Sequence, residues 1–203
     1  MRKVIYGAAC SLDGFIAPAD GSMDWLIWTD DVTKLMAEYW SNTDTLVMGR
    51  KTWEVALALS AGGAGGPEMA GIRSYVFSRT LERIDHPGVE LVSSDGAEFV
   101  RQLKKRKGKD IIVFGGGDFA RSLFEADLID EVGLNIHPVI LGSGVPFFLD
   151  PKRRIKLSLT RCRELKRGCV LLEYAVKHTR KTAKPYSSHT TASPTEMRPS
   201  SRT

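Results

Sequence analysis

Long apolar stretches are missing from this 203-residue sequence, and no run approaches the roughly 20 residues a membrane-spanning helix needs. Cysteine is scarce. The three present, Cys10, Cys162 and Cys169, are odd in number and form no Cys-x-x-Cys, which argues against a disulfide framework and against a zinc site. They read as small apolar core or edge residues. The four histidines, His86, His137, His178 and His189, stand at no metal-ligand spacing from one another or from a cysteine, so no metal is expected. Met1-Arg2-Lys3 leads straight into a strand-like run with no h-region or cleavage site, and the expectation is a cytoplasmic chain. There is no internal repeat.

Charge of one sign is also lacking where it would matter. The formal net charge is +5, but residues 178–203 hold five basic residues and one acidic, leaving about +1 for the remainder. A near-neutral body lacks the electrostatic footprint of a nucleic-acid binder, and no nucleic-acid or membrane partner is expected. The 178–203 segment is rich in Ser, Thr and Pro with little to bury, and reads as a disordered basic tail. What is present suits one domain over residues 1–177: 42% of residues are hydrophobic, enough for a sizeable core.

Strand and helix signals alternate from residue 4 to about 137. Val4–Ala9 reads as a buried strand. Thr29-Asp30-Asp31 reads as the start of a helix carrying Leu35, Met36, Tyr39 and Trp40. Thr45–Met48 is a strand followed by a helix from Thr52 to about Leu59, and Ala61–Pro67 is a glycine-rich mobile loop. Ser74–Phe77 and Val89–Val92 are strands. Ala97–Lys107 is a helix stopped by Gly108. Ile111–Phe114, with no polar residue, is a central strand that Gly115-Gly116-Gly117 turns into a helix over 118–126. Glu131–Ile140 is a strand, and Lys156–Leu165 with Cys169–Val176 forms a closing hairpin. The pattern predicts an α/β fold, with a mostly parallel sheet made mixed by the antiparallel hairpin.

Three segments suit phosphate. Gly115-Gly116-Gly117 lies between a buried strand and a helix N-terminus, where free N–H groups and missing side chains admit a pyrophosphate; a plain tight turn is the alternative. Gly49-Arg50-Lys51-Thr52 supplies two cations and a hydroxyl at a second strand-to-helix junction, or is a solvated basic turn. Ser78-Arg79-Thr80 follows a third strand and suits a phosphomonoester. In a parallel sheet all three lie past strand C-termini, on the edge where α/β ligands bind.

These residues carry a resemblance. Ser11–Ala17, Val47–Glu54, Val76–Arg79, Ile112–Gly117 and Leu141–Phe148, in this order, resemble the dihydrofolate reductase-like superfamily. The closer likeness is to the reductase-domain family of the bifunctional riboflavin-biosynthesis deaminase-reductase. The resemblance implies NADPH as hydride donor, a small-molecule substrate and a homodimer. It implies that Ala9 and Ile16 lie near the nicotinamide. Gly49, Arg50, Lys51, Thr52, Ser78 and Arg79 would hold the adenosine phosphates. Gly115, Gly116 and Gly117 would hold the pyrophosphate, flanked by Phe114, Asp118 and Phe119. It further implies a cis peptide between Gly115 and Gly116.

Other segments depart from that pattern. The deaminase half's His-x-Glu and Pro-Cys-x-x-Cys are missing, so no deaminase activity is expected. Thr52-Trp53-Glu54 and the stretch from Met23 to Asp30 stand closer to folate reductases. Reducing C=N or C=O needs a proton at the heteroatom, and a buried carboxyl could organise it. Asp30 is the first candidate, with a helix cap as the alternative role for it or Asp31. Asp13 is the second, with a turn residue as its alternative. Trp25 and Trp28 line a heterocycle pocket or belong to the core. Three functions follow: a riboflavin-type reductase, a dihydrofolate reductase, or a non-catalytic dimeric NADPH-binding module.

Overall fold

The computed structural model describes residues 1–61 and 71–178. The tail from Thr179 onward and most of the Ala61–Pro67 loop lie outside the described residues.

The chain runs β1 (Val4–Ser11), β2 (Phe15–Ala17), α1 (Asp30–Ser41), β3 (Thr43–Gly49), α2 (Arg50–Ala61), β4 (Arg73–Phe77), β5 (Val89–Val92), α3 (Gly96–Lys105), β6 (Asp110–Val113), α4 (Gly117–Glu125), β7 (Glu131–His137), β8 (Val145–Pro146), β9 (Lys156–Glu164) and β10 (Val170–Lys177). Eight strands form one sheet in the order β5-β4-β3-β6-β1-β7-β10-β9. Pairing is parallel from β5 to β7 and antiparallel from β7 to β9. The mixed sheet expected from the alternation is therefore present, and apolar β6 sits near its centre with Ile111 and Val113 fully buried.

Helices cover both faces. α3 and α4 pack Val100, Leu103, Leu123 and Phe124 against Val4, Tyr6, Val47, Ile111 and Val113. On the other face Val32 and Leu35 of α1 meet Leu165, Cys169 and Leu171, while Trp53 of α2 meets Leu46, Met48, Val76 and Ile112. Alternate residues of each strand serve opposite faces, as a pleat requires. Asp95 caps α3 by accepting from the Glu98 N–H at 2.9 Å.

Two local features differ from the sequence expectation. The strand over 131–140 ends at His137, where Pro138 follows and cannot donate to a ladder. A separate two-stranded sheet pairs β2 with β8, Phe15 opposite Pro146. Phe147 N–H extends it by donating to Gly14 O at 2.9 Å. Phe147 then stacks on Tyr6 with centroids 4.3 Å apart, and the Tyr6 hydroxyl donates to its carbonyl at 2.5 Å. Such short strands carry too little alternation to be read from sequence.

Candidate functional site

The chain returns from the β5 edge to insert β6 between β3 and β1, and the three phosphate-compatible segments sit at this reversal of strand order. β4, β3 and β6 are adjacent and parallel, so Phe77, Gly49 and Val113 end on one edge. Ligands of open α/β sheets bind at such points. The glycine triplet and the Gly49–Thr52 junction touch. A Cβ on Gly115 would stand 3.0 Å from Thr52 Cγ2 and Oγ1, and one on Gly116 would stand 3.3 Å from Gly49 N. Both glycines take positive φ, 67° and 77°, which side chains rarely adopt. Gly116 is the N-cap of α4, so the helix's first N–H groups, without partners inside the helix, open onto this cradle.

One expectation is corrected here. The Gly115–Gly116 bond is trans, and no cis peptide occurs among the described residues. Two successive left-handed glycines reverse the chain without it.

The cations divide into bound and available. Arg50 is tied to Glu54, four residues on, at 2.6 Å. Asp118 pairs with Arg121 at 2.9 Å. Lys51 and Arg79 are exposed and form no ion pair among the described residues. Ser78 is buried, and its hydroxyl accepts from Thr80 N at 3.1 Å and Leu81 N at 3.0 Å. That turn leaves Arg79 projecting at the β4 end. Phe119 stacks on Phe77 with centroids 4.4 Å apart, which joins α4 to β4 under the edge. The residues present thus fit a dinucleotide: a side-chain-free cradle at a helix N-terminus, with two unengaged cations beside it.

Ala9 and Ile16 are part-buried on β1 and β2, and Phe114 is 39% exposed just past β6. The two candidate carboxylates are held differently. Asp13 accepts from Ser11 Oγ at 2.5 Å, Leu141 N at 3.2 Å and Gly142 N at 2.7 Å. The Ser11 hydroxyl, then the loop amides, hold its carboxyl below the usual range, so it stays charged and ties the turn after β1 to the 141–142 loop. The Asp30 side chain is 86% exposed at the start of α1, with Lys166 Nζ at 3.6 Å. It is not the buried carboxyl that proton management calls for. The engaged carboxylate of this first turn is its neighbour. Asp31 accepts from Thr29 Oγ1, from Val32 N at 3.1 Å and from Lys166 N at 2.7 Å, while Thr29 itself makes no side-chain cap.

A polar cluster escaped the sequence reading. Asn135 and His137 lie on one face of β7 and are 9% and 2% exposed. Ile27 N–H donates to His137 Nδ1 at 3.0 Å, the Asn135 amide lies 3.2 Å from Nε2, and the Trp25 ring meets the imidazole edge-on at 5.3 Å. The available signal was two polar residues, two positions apart, in the otherwise apolar run Val132–His137.

Burial holds the His137 pKa below its ordinary 6.5. The unfolded chain therefore takes up this proton at higher pH than the folded one. Stability is full above that pH and falls as pH drops through the folded value. His137→Gln is expected to flatten the acid-side loss of melting temperature that begins near 6.5. Parallel curves for the two proteins would show that His137 takes no part. Asp13 and Asp31, both lowered, act only at more acidic pH.

Residues 2–171 match the RibD C-terminal domain. The chain belongs to that family. It is 34% identical over 180 residues to the uncharacterized protein YyaP of Bacillus subtilis (strain 168), covering 85% of this chain and 94% of that one. Among solved structures, a candidate riboflavin biosynthesis protein from Shewanella sp. PV-4 superposes with a TM-score of 0.75 at 24% identity, over 87% of this chain and 99% of that one. The Thermotoga maritima diaminohydroxyphosphoribosylaminopyrimidine deaminase/5-amino-6-(5-phosphoribosylamino)uracil reductase gives 0.63 at 22%, over 87% of this chain and 57% of that one. Dihydrofolate reductase from Enterococcus faecalis complexed with NADP(H) gives 0.60 at 15%, over 87% and 97%. The fold is thus dihydrofolate reductase-like, a RibD C-terminal domain with a mixed, mostly parallel eight-stranded sheet.

Proposed function

We propose that this RibD C-terminal domain protein is an NADPH-dependent reductase of the riboflavin type, acting on a pyrimidine ribosylamine phosphate or a related small carbonyl or imine. The observation that carries the reading is the meeting of Gly115–Gly116 with Gly49–Thr52 beside unengaged Lys51 and Arg79. When bound, NADPH supplies a hydride. Gly115 to Gly117 and the α4 N-terminus would take its pyrophosphate, because anions are favoured where unpaired N–H groups converge. Lys51 and Arg79 would take the additional phosphate that separates NADPH from NADH. The family membership and the named reductases among the structural neighbours support the same assignment. Folate reduction ranks second, because Asp30 is turned to solvent.

Charge-assisted hydrogen bonds contribute about 1.5–3 kcal/mol. Arg79→Ala is therefore expected to weaken NADPH roughly 10- to 100-fold and NADH little. Titration calorimetry of both cofactors reads this directly, and equal losses would remove Arg79 from phosphate recognition. The activity itself is tested by NADPH oxidation with the aminouracil ribosylamine phosphate. No turnover at saturating cofactor would overturn the substrate assignment.

A further inference from the structure

Asn135 has an unusual setting. On β7 it pairs in parallel with Ala9, and His137 pairs with Ser11, so all four side chains share one sheet face. Nearer the start of β7 that face is covered by α1, whose Tyr39 hydroxyl would lie 3.0 Å from a Cβ on Gly133. Over Asn135 and His137 the cover is instead the irregular segment carrying Trp25 and Ile27. Ala9 remains part-exposed although its strand lies inside the sheet. The sheet face is thus open over Ala9, between Asn135 on β7 and the phosphate cradle past β6.

The hydrogen bonds around Asn135 do not close. Asn135 Oδ1 and Trp25 Nε1 are buried and have no partner among the described residues. Ile27 N–H fixes His137 Nδ1 as an acceptor, so the neutral ring carries its proton on Nε2. That N–H then faces the Asn135 amide at 3.2 Å. The facing atom is Asn135 Nδ2, so two donors meet. Turning the amide resolves this, since amide orientation follows from the network. Oδ1 then accepts from His137, and the NH2 group takes the unpartnered place. Two buried N–H donors, Asn135 Nδ2 and Trp25 Nε1, are left flanking His137, where buried polar groups ordinarily find partners.

We propose that Asn135 recognises the molecule to be reduced. Its amide N–H, with the Trp25 indole N–H, donates to an exocyclic oxygen or ring nitrogen of a flat heterocycle lying over Ala9. His137 is a positioning residue that acts through Asn135, holding the amide with its donors turned away from the imidazole. The inference rests on the reductase reading only for the statement that the bound ring is the hydride acceptor; the recognition itself is separate.

The test uses ¹⁵N-labelled full chain. Imidazole ¹⁵N spectra are expected to show His137 with its proton on Nε2; a proton on Nδ1 would overturn the orientation and the proposal. Titration with 5,6-diaminouracil, which carries two ring carbonyls, is expected to move the Asn135 side-chain amide and Trp25 indole signals. Asn135→Leu should weaken that binding about tenfold. Absence of binding, or binding that leaves both signals unmoved, would overturn the proposal without reliance on the variant's folding. NADPH is titrated separately. A protein that binds the diaminouracil at Asn135 but not NADPH keeps this inference and loses the reductase reading.

Discussion

Gly144→Ala is expected to lower stability by about 3–5 kcal/mol, among the largest effects a single substitution produces. A Cβ there would lie 2.0 Å from Ala17 O and 2.9 Å from Pro18 Cα, and the backbone φ is +144°. Neither neighbour is a flexible side-chain end, so the chain itself must shift. The shift would pull β8 from β2, releasing Phe147 from Gly14 and the 141–142 amides from Asp13. For a domain of this size, melting should fall by about 10 °C, read by circular dichroism. Gly142→Ala is the control. Its φ is +75° with nothing within 4 Å, so only the left-handed penalty of about 1–2 kcal/mol applies. Equal melting temperatures for the two variants would refute the close approach at Gly144.

Gly115→Ala is expected to leave the fold largely intact and raise the NADPH dissociation constant about a hundredfold. The added methyl meets Thr52 at 3.0 Å on a backbone with φ +67°. The local cost is about 1–3 kcal/mol of strain. The larger loss is at the cradle, where one displaced charge-assisted bond corresponds to about 1.5–3 kcal/mol. Calorimetry measures the affinity, and circular dichroism checks the fold. Affinity within about threefold of the parent protein would show that the pyrophosphate does not approach Gly115.

Much of this site was legible residue by residue. The apolar run Ile111–Val113 announced a central strand, and Gly115–Gly117 after it announced a junction open to anions. The residues Arg50, Lys51 and Arg79 were visible as cations, but their availability was not. Arg50 is engaged by Glu54 four residues later, a pair that helical spacing permits, whereas Lys51 and Arg79 form no ion pair among the described residues. Asp30 shows the opposite limit. Its place at a helix start was readable, yet whether a first-turn carboxyl faces the sheet or solvent depends on how the helix docks. Here it faces solvent, and Asp31 is the carboxylate held by Thr29, Val32 and Lys166.

The sequence by itself determined the alternation of strands and helices, the three strand-end segments and the family, because periodicity and turn chemistry are local properties. Strand order was decided only by the tertiary structure. Inserting β6 between β3 and β1 is what sets Gly115 against Thr52, 63 positions apart in the chain. The β2–β8 pairing and the trans Gly115–Gly116 bond belong to the same class. So does the cluster of Trp25, Asn135 and His137, joined across more than 100 positions through Ile27. Contacts of that range depend on which faces pack together once the core forms, and no short window of residues records that choice.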